Sequence, residues 1–417
     1  MSYICPIMDI PIFGYPKALL EIAIRFRKAF PDVRQFNHFL RFVTAIGHYE
    51  KGSLAHINSL FVEHTNQSNF NRFLSSKFDL GLLKNEHINA INEIEKDGIL
   101  VIDDTIIERN GKNIEYTDIF FDHNKKKYVR GYQVATSLFI GKYGKYPIAL
   151  SIYRKFNKED PAFKTKIEIQ KENIEDAIKR GMNFSTVIGD SWYFTDDLVK
   201  FLNAKGKSWI FTSKGNRRVK IQGRWTSLDD LILPYAESQL LTIDGEVYSA
   251  WEKEVYIRGI GKLSVVVTEG INGKKYFMTN RLDWDSKKII GTFLNRWDIE
   301  VMHREMKGNG LKRLFLRNGK KVEMDLCLYA IGRTLLEIST IITMADHKEL
   351  EEGIEIHKRL TGIEFIENAS QKIMEFGKHA VEAMVKAIET PYKSTVKILK
   401  SLGLFTFNPL DKINAKL

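Results

Sequence analysis

Asp103 and Asp104 interrupt the otherwise apolar run Ile99–Ile107 (ILVIDDTII). An acid inside such a run is unfavourable unless something pairs with it. Asp190 follows a second apolar run in VIGDSWYF, and Glu300 lies in the helical pattern FLNRWDIEVMHREMK. With Glu300 as origin on a helical wheel, Phe293, Arg296, Arg304 and Lys307 fall at about +20°, −40°, +40° and −20°, so one face carries an acid among three bases. Glu305 falls at about 140° and points away. Carboxylates converging from a central strand, a neighbouring strand end and a helix make an oxygen-rich site without His or Cys, the ligand set that Mg²⁺ or Mn²⁺ prefers. A pair of such ions can clamp the attacking and leaving oxygens of an in-line phosphoryl displacement, with nearby bases holding the phosphates. The structural alternative is that the aspartates cap turns and Glu300 pairs with Arg296 and Arg304 at i,i+4 spacing.

The elements that would position these acids are legible. Residues 99–107, 133–140 and 146–153 form three β-rich runs, the first two separated by a polar loop containing KKKYVR. A helical pattern follows over 166–180, then a strand over 184–189 ending at Asp190, a helix over 195–204 and a strand over 207–212. The order β, β, β, α, β, α, β is that of a ribonuclease-H-like core, a mixed sheet with helices on both faces. Residues 214–283 then alternate at period two (VYSAWEKEVYIRG, KLSVVVTEG, KKYFMTN) and are expected to form an inserted antiparallel β subdomain. After it, Ser286 can cap one long helix from about Lys287 to Lys307.

The expected division is a helical region over 1–95, to which the transposase resemblance described below assigns DNA binding and dimerisation, a core over 96–213 and 284–340, the insertion over 214–283, and a helical C-terminal region over 341–417. Within 1–95, a helix opened by Ser53 and a second opened by Ser68, joined through HTNQ, have the layout of a helix-turn-helix that would present Asn69 and Arg72; plain helix packing makes the same pattern.

The chain has 417 residues, enough for two or three domains, and carries 63 Lys+Arg against 52 Asp+Glu, a formal net charge of +11. With 44% hydrophobic residues it is not a disordered chain. The excess charge sits in two windows, Lys205–Arg224 with seven bases and no acid and Arg304–Lys321 with seven bases and one Glu. Nearly acid-free clusters point to a polyanionic partner. The second-half bases singled out for DNA are Lys214, Arg217, Arg218, Arg296, Arg304, Lys307, Lys312 and Arg313. Arg333 and Glu337 break the most apolar stretch, and the N-terminus lacks the basic flank of a signal peptide, so no membrane association and a cytoplasmic location are expected, which the insertion-sequence resemblance described below narrows to nucleoid-associated and prokaryotic. Cys5 and Cys327, far apart, fit reduced thiols and exclude a Cys-rich zinc site.

Phe293, Arg296, Glu300 and Lys307 occupy the spacing Y-x2-R-x3-E-x6-K, with R-W-x-I-E as its specific part. This resembles the third-acid helix of cut-and-paste insertion-sequence transposases with a DDE active site and a β insertion, while VIDDT resembles their first-Asp strand and VIGDSWYF their second. The resemblance covers about 99–333. It implies a Mg²⁺- or Mn²⁺-dependent enzyme, with two ions held by Asp103, Asp190 and Glu300, that binds terminal inverted repeats as at least a homodimer in the synaptic complex. It also implies cleavage at the ends, with or without a hairpin intermediate, and transfer to target DNA. Phe293 replaces the family Tyr. The family frame D-x-T selects Asp103 with Thr105, whereas alignment on the apolar run selects Asp104. Trp225, Trp251 and Trp284 are candidates for the insertion aromatic that holds a flipped base in such enzymes. Two rival readings are a domesticated DNA-binding protein that no longer cuts, and a ribonuclease-H-like nuclease without strand transfer.

Overall fold

A computed structural model describes residues 12, 14–46, 54–111, 113–123, 125–155, 163–243, 246–270, 273–308 and 316–346. The chain divides into two compact units, one of residues 1–90, 111–115 and 304–417, the other of residues 91–110 and 116–303.

The first unit begins with helices α1 (Lys17–Ala23), α2 (Val33–Ile46), α3 (Leu54–Ser59), α4 (Gln67–Phe73) and α5 (Leu80–Ile94), the last continuing into the second unit. Its core is aromatic: Phe26, Phe30, Phe36, Phe39, Phe70 and Phe73 are each at most 2% exposed, and the Phe30 ring lies 5.1 Å from Phe39 and 5.2 Å from Phe78. Each such ring contributes on the order of 2–3 kcal/mol by burial. The expected helix pair is α3 and α4, with Ser53 outside the described residues. Asn66, not Ser68, caps α4, because its Oδ1 accepts from the Ser68 N–H at 2.9 Å. Asn69 and Arg72 are exposed on α4, where Arg72 Nη2 donates to Asn69 Oδ1 at 2.5 Å.

The second unit is built on one mixed sheet. Its first half comprises β1 (Ile99–Glu108), β2 (Asp118–Asp122), β3 (Lys127–Ile140), β4 (Lys145–Tyr153), α6 (Lys166–Lys179), β5 (Thr186–Gly189), α7 (Asp196–Ala204) and β6 (Ser208–Ser213). Strand β1 is antiparallel to β3 and parallel to β5, β3 is antiparallel to β4, and β5 is parallel to β6. The spatial order β4-β3-β1-β5-β6 is the ribonuclease-H-like arrangement. One strand departs from expectation: β2, with the start of β3, occupies the stretch read as a polar loop. Phe120 and Val129 pair across these strands and are 6% and 7% exposed, so two inward side chains order a segment whose other apolar residues, Ile119, Phe121 and Tyr128, are exposed.

The insertion supplies β7 (Arg218–Ile221), β8 (Arg224–Ser227), β9 (Gln239–Ile243), β10 (Glu246–Ile257), β11 (Gly261–Gly270) and β12 (Gly273–Thr279). It is antiparallel throughout, and β12 pairs with β6 through Tyr276↔Ser213 to Thr279↔Ile210, so the inserted strands continue the core sheet to twelve strands.

The expected single helix over 287–307 is two, α8 (Ser286–Leu294) and α9 (Trp297–Gly308). Asn295 makes the break: its side-chain amide donates to the carbonyls of Gly291 and Thr292, at 3.3 and 3.0 Å, and ends α8. Asp285 rather than Ser286 caps α8, accepting from the Lys288 N–H at 2.7 Å. Trp209 and Phe211 of β6 face Phe194 and α7, whereas Phe277, paired with Thr212, faces α8. Helices α6 and α7 therefore cover one face of the sheet and α8 the other.

In the first unit the closing helix is α10 (Gly319–Asp346); residues 347–417, most of the expected helical C-terminal region, lie outside the described residues. Over Gly319–Thr343 this helix is long and apolar enough to cross a bilayer, but 67% of that window is buried within the protein, as in a core helix. A Cβ on Gly332 would stand 2.3 Å from Ile46 Cδ1, so α10 and α2 are in close contact there. His87 Nε2 lies 2.8 Å from Thr334 Oγ1, and Arg333 pairs with Glu305 at 2.7 Å.

Candidate active site

Alternation along β1 sends Asp103 and Asp104 to opposite faces of the sheet, and the two carboxylates have different surroundings. Asp104 is saturated. Its carboxylate accepts from Gln133 Nε2 at 2.6 Å, Lys166 Nζ at 3.0 Å and the Tyr193 hydroxyl at 2.8 Å. Burial and the charges of Asp104 and Asp103 push the Tyr193 hydroxyl well above its ordinary 10, so it stays protonated and donates.

Asp103 faces α9. Its neighbour on β3 is Thr136, whose Oγ1 lies 2.8 Å from His303 Nε2 of α9 and 3.1 Å from the Asp103 carbonyl. The parallel register Val101↔Ile188, carried two residues further, sets Asp190 beside Asp103 just past the end of β5. Burial, then the Asp190 charge, push the Asp103 carboxyl from 3.8 up to about 7, against the opposing pull of the Asp104 N–H and Arg296. Asp190 is oriented by the Trp192 N–H, which donates to its Oδ1 at 2.9 Å.

Arg296 joins the third acid to this pair. It occupies the break between α8 and α9, with Nη1 3.6 Å from Asp103 Oδ2 and Nη2 paired with Glu300 Oε1. Glu300 lies in the first turn of α9, where an acid is favoured by the helix dipole. Lys145 Nζ holds Asp298 of the same turn at 2.7 Å. Among the described residues no three His, Cys, Asp or Glu side chains stand close enough together to hold a metal ion. Asp103 and Asp190 make a pair, with Glu300 linked to it through Arg296. An all-oxygen set carrying a like-charge pair still has the chemistry of a hard divalent-cation site.

Other site candidates fall in different places. Phe293 does not share the polar stripe. The break at Asn295 takes it out of helical phase with Glu300, and it is 8% exposed with its ring 5.1 Å from Phe277. Arg304 is exposed and Lys307 half-buried on α9; Lys312 and Arg313 lie outside the described residues. Lys214 and Arg218 are exposed. Arg217 is engaged by the protein, its Nη2 donating to the Phe194 carbonyl at 2.6 Å with the guanidinium 4.2 Å from the Phe194 ring centroid. Of the three tryptophans, Trp251 is buried and donates to the Pro234 carbonyl at 2.9 Å, Trp284 sits between Arg281 and Lys288, and Trp225 is exposed at a cleft of about 390 Å³ shared with Arg217, Arg218 and Arg258. Sequence reasoning missed Gln133, Lys166, Tyr193, Thr136 and His303. The polar positions 133 and 136 inside a β-rich run were the one available signal.

Residues 69–332 match the sequence profile of the archaeal transposase family ISC1217, a DDE family, over more than half of the chain. The chain belongs to this family. The matched span contains Asp103, Asp190 and Glu300. Among solved structures the transposase is similar to the piggyBac transposase synaptic complex with hairpin DNA, at 14% identity and a TM-score of 0.40, covering 90% of this chain and 78% of that one. It is also similar to the Drosophila P element transposase strand transfer complex, at 10% identity and a TM-score of 0.20, covering 50% of this chain and 47% of that one. No curated protein sequence matches it.

Proposed function

We propose that this transposase binds the terminal inverted repeats of its mobile element as a homodimer and, in the presence of Mg²⁺ or Mn²⁺, cleaves the ends and joins them to target DNA. The observation that carries the reading is the Asp103–Asp190 pair, one on β1 and the other just past the end of the parallel β5, with Glu300 linked to it by Arg296. Asp103, Asp190 and Glu300 would hold the ions. When bound, these would supply the positive charge that stabilises the attacking and leaving oxygens of phosphoryl transfer. The chain's own groups orient the acids. The Trp192 N–H fixes Asp190, and His303 with Thr136 sets the Asp103 face of β1 against α9. Arg296 is placed to exchange a carboxylate for a substrate phosphate, and exposed Lys214 and Arg218 to extend the footprint.

The reading is tested by incubating the purified protein with duplex DNA carrying the element's own terminus. Strand cleavage is expected in Mg²⁺ or Mn²⁺ and none in EDTA. Cleavage of equal rate in excess EDTA would contradict it.

A further inference from the structure

The sheet of the second unit carries two surfaces of opposite charge, each with exposed apolar side chains. One is the β2–β3 hairpin at an end of the sheet. The register Phe121↔Tyr128 and Ile119↔Arg130 puts these four side chains on the face opposite the buried Phe120 and Val129; Tyr128 is 72% exposed, and the Phe121 ring meets it edge-on at 5.2 Å. Residues 125–130 (KKKYVR) hold four bases and no acid. Lys125 is tied to Glu108, while Lys126, Lys127 and Arg130 are exposed and have no partner among the described residues. Toward the other end of the sheet lies β9, which pairs with β10 and with no other strand among the described residues. One face of β10 meets α8, where Ser286 Oγ donates to Glu252 Oε2 at 3.0 Å. The opposite face carries Val247 and, through the pairs Leu240↔Ser249 and Thr242↔Val247, Leu240. Residues 234–237 lie on that same face, because Trp251 Nε1 donates to the Pro234 carbonyl and Lys253 pairs with Glu237. Tyr235, Leu240 and Val247 are 79%, 71% and 65% exposed. Residues 225–252 hold six acids and no Lys or Arg, in a protein whose net charge is +11.

We propose that a second copy of this chain docks on the β9 face, and that the element it docks with is its β2–β3 hairpin. Exposed apolar side chains grouped on one face mark an interaction surface. Charge selects the occupant. Glu237 before β9, and Asp244 and Glu246 just after it, repel DNA and repel a second β9 face, so two β9 faces do not pair with each other. The hairpin offers what the face lacks, three unpartnered cations set among Ile119, Phe121 and Tyr128. The β9 edge also lacks the devices that keep edge strands apart, since its sequence QLLTI contains no charge and no proline. A two-fold axis lets each copy give its hairpin to the other, so two equivalent contacts close a dimer. Apolar contact supplies affinity, while the charges set which surface meets which and make the contact sensitive to salt. Such a dimer forms without DNA and does not depend on the transposase reading; it would give the homodimer proposed above an interface.

The test is sedimentation velocity of the full chain without DNA, over a concentration series in about 0.1 M salt, where charges within about 10 Å still act on one another. The parent is expected to pass from monomer to dimer as its concentration rises. Lys126→Glu with Lys127→Glu, and separately Glu237→Lys with Asp244→Lys, are each expected to raise the dissociation constant about tenfold or more. Mixing the two double variants, or placing all four substitutions in one chain, is expected to restore the dimer, because every contact then joins opposite charges again. Two identical surfaces meeting each other would not be rescued in this way. Tyr128→Ser and Leu240→Ser, each removing an exposed apolar group, are expected to weaken the dimer without touching its charges. A parent that stays monomeric throughout the series, a hairpin variant that dimerises like the parent, or a mixture that stays monomeric overturns the docking. A hairpin variant that loses only DNA affinity assigns those cations to DNA and overturns it as well. Cleavage of the element's terminus in Mg²⁺ is read separately, so each of these results leaves the transposase reading standing.

Discussion

Replacing Asp103 with Asn is expected to stabilise the protein while abolishing its activity, and replacing Asp104 with Asn to do the reverse. Burial and the Asp190 charge raise the Asp103 carboxyl from 3.8 in the unfolded chain to about 7 in the folded one, a difference worth about 4 kcal/mol. The folded state therefore binds this proton more tightly than the unfolded state. The resulting stabilisation is complete below pH 3.8 and is lost as pH rises through about 7. An Asn cannot titrate, so the Asp103→Asn protein loses this dependence and at pH 8 gains a few kcal/mol over the parent. Asp104→Asn strips the charge partner from Lys166, whose side chain is 15% exposed, and costs about 3 kcal/mol. Urea unfolding in EDTA at pH 5 and pH 8, with cleavage measured separately in Mg²⁺, reads both effects. If Asp103→Asn destabilises at pH 8 while Asp104→Asn is neutral and inactive, the faces of β1 have been assigned the wrong way round.

Three further outcomes are expected. Glu95, 1% exposed, accepts from the N–H groups of Lys142, Tyr143 and Gly144 and from the Tyr146 hydroxyl, so Glu95→Ala strands four donors at the β3–β4 turn; a loss of about 3–5 kcal/mol in urea unfolding is expected, and a loss below about 1 kcal/mol would contradict this role. Burial, reinforced by Lys84, holds the His87 imidazole down to about 3, so its stabilisation is present above pH 6.5 and lost as pH falls toward 3; unfolding at pH 7, 5 and 4 should show a slope that His87→Gln removes, and an unchanged slope would assign it to other groups. Lys214→Ala with Arg218→Ala is expected to reduce the salt dependence of DNA binding by about two phosphate contacts, whereas Arg217→Ala lowers stability; an unchanged salt slope in the double variant would remove these residues from the footprint.

Periodicity and acid placement carried the core a long way. The runs at 99–107, 133–140, 146–153, 184–189 and 207–212 became β1, β3, β4, β5 and β6, and their order yields the parallel β1–β5 register that sets Asp103 beside Asp190. What sequence left hidden was tertiary. The two-residue inward pattern of Phe120 and Val129 was too short to mark β2, and the break at Asn295 is a side-chain-to-carbonyl cap that helical periodicity does not register. That break misplaced Phe293 while leaving the Arg296–Glu300 i,i+4 pair intact. The choice between Asp103 and Asp104 could not be made from the strand alone, because both acids interrupt the same apolar run. Three partners contributed by β3, α6 and the segment after β5 separate them.

The acids are expected to act in cutting and not in holding DNA. Glu300→Gln keeps the side-chain volume and much of its hydrogen bonding to Arg296 while removing the charge. Duplex binding and strand cleavage of the element's terminus, measured on the same preparation in Mg²⁺, should separate: affinity equal to or above that of the parent, with cleavage reduced by several orders of magnitude. Cleavage at the parental rate by Glu300→Gln, with loss of cleavage in Glu305→Gln instead, would contradict the assignment of the third acid.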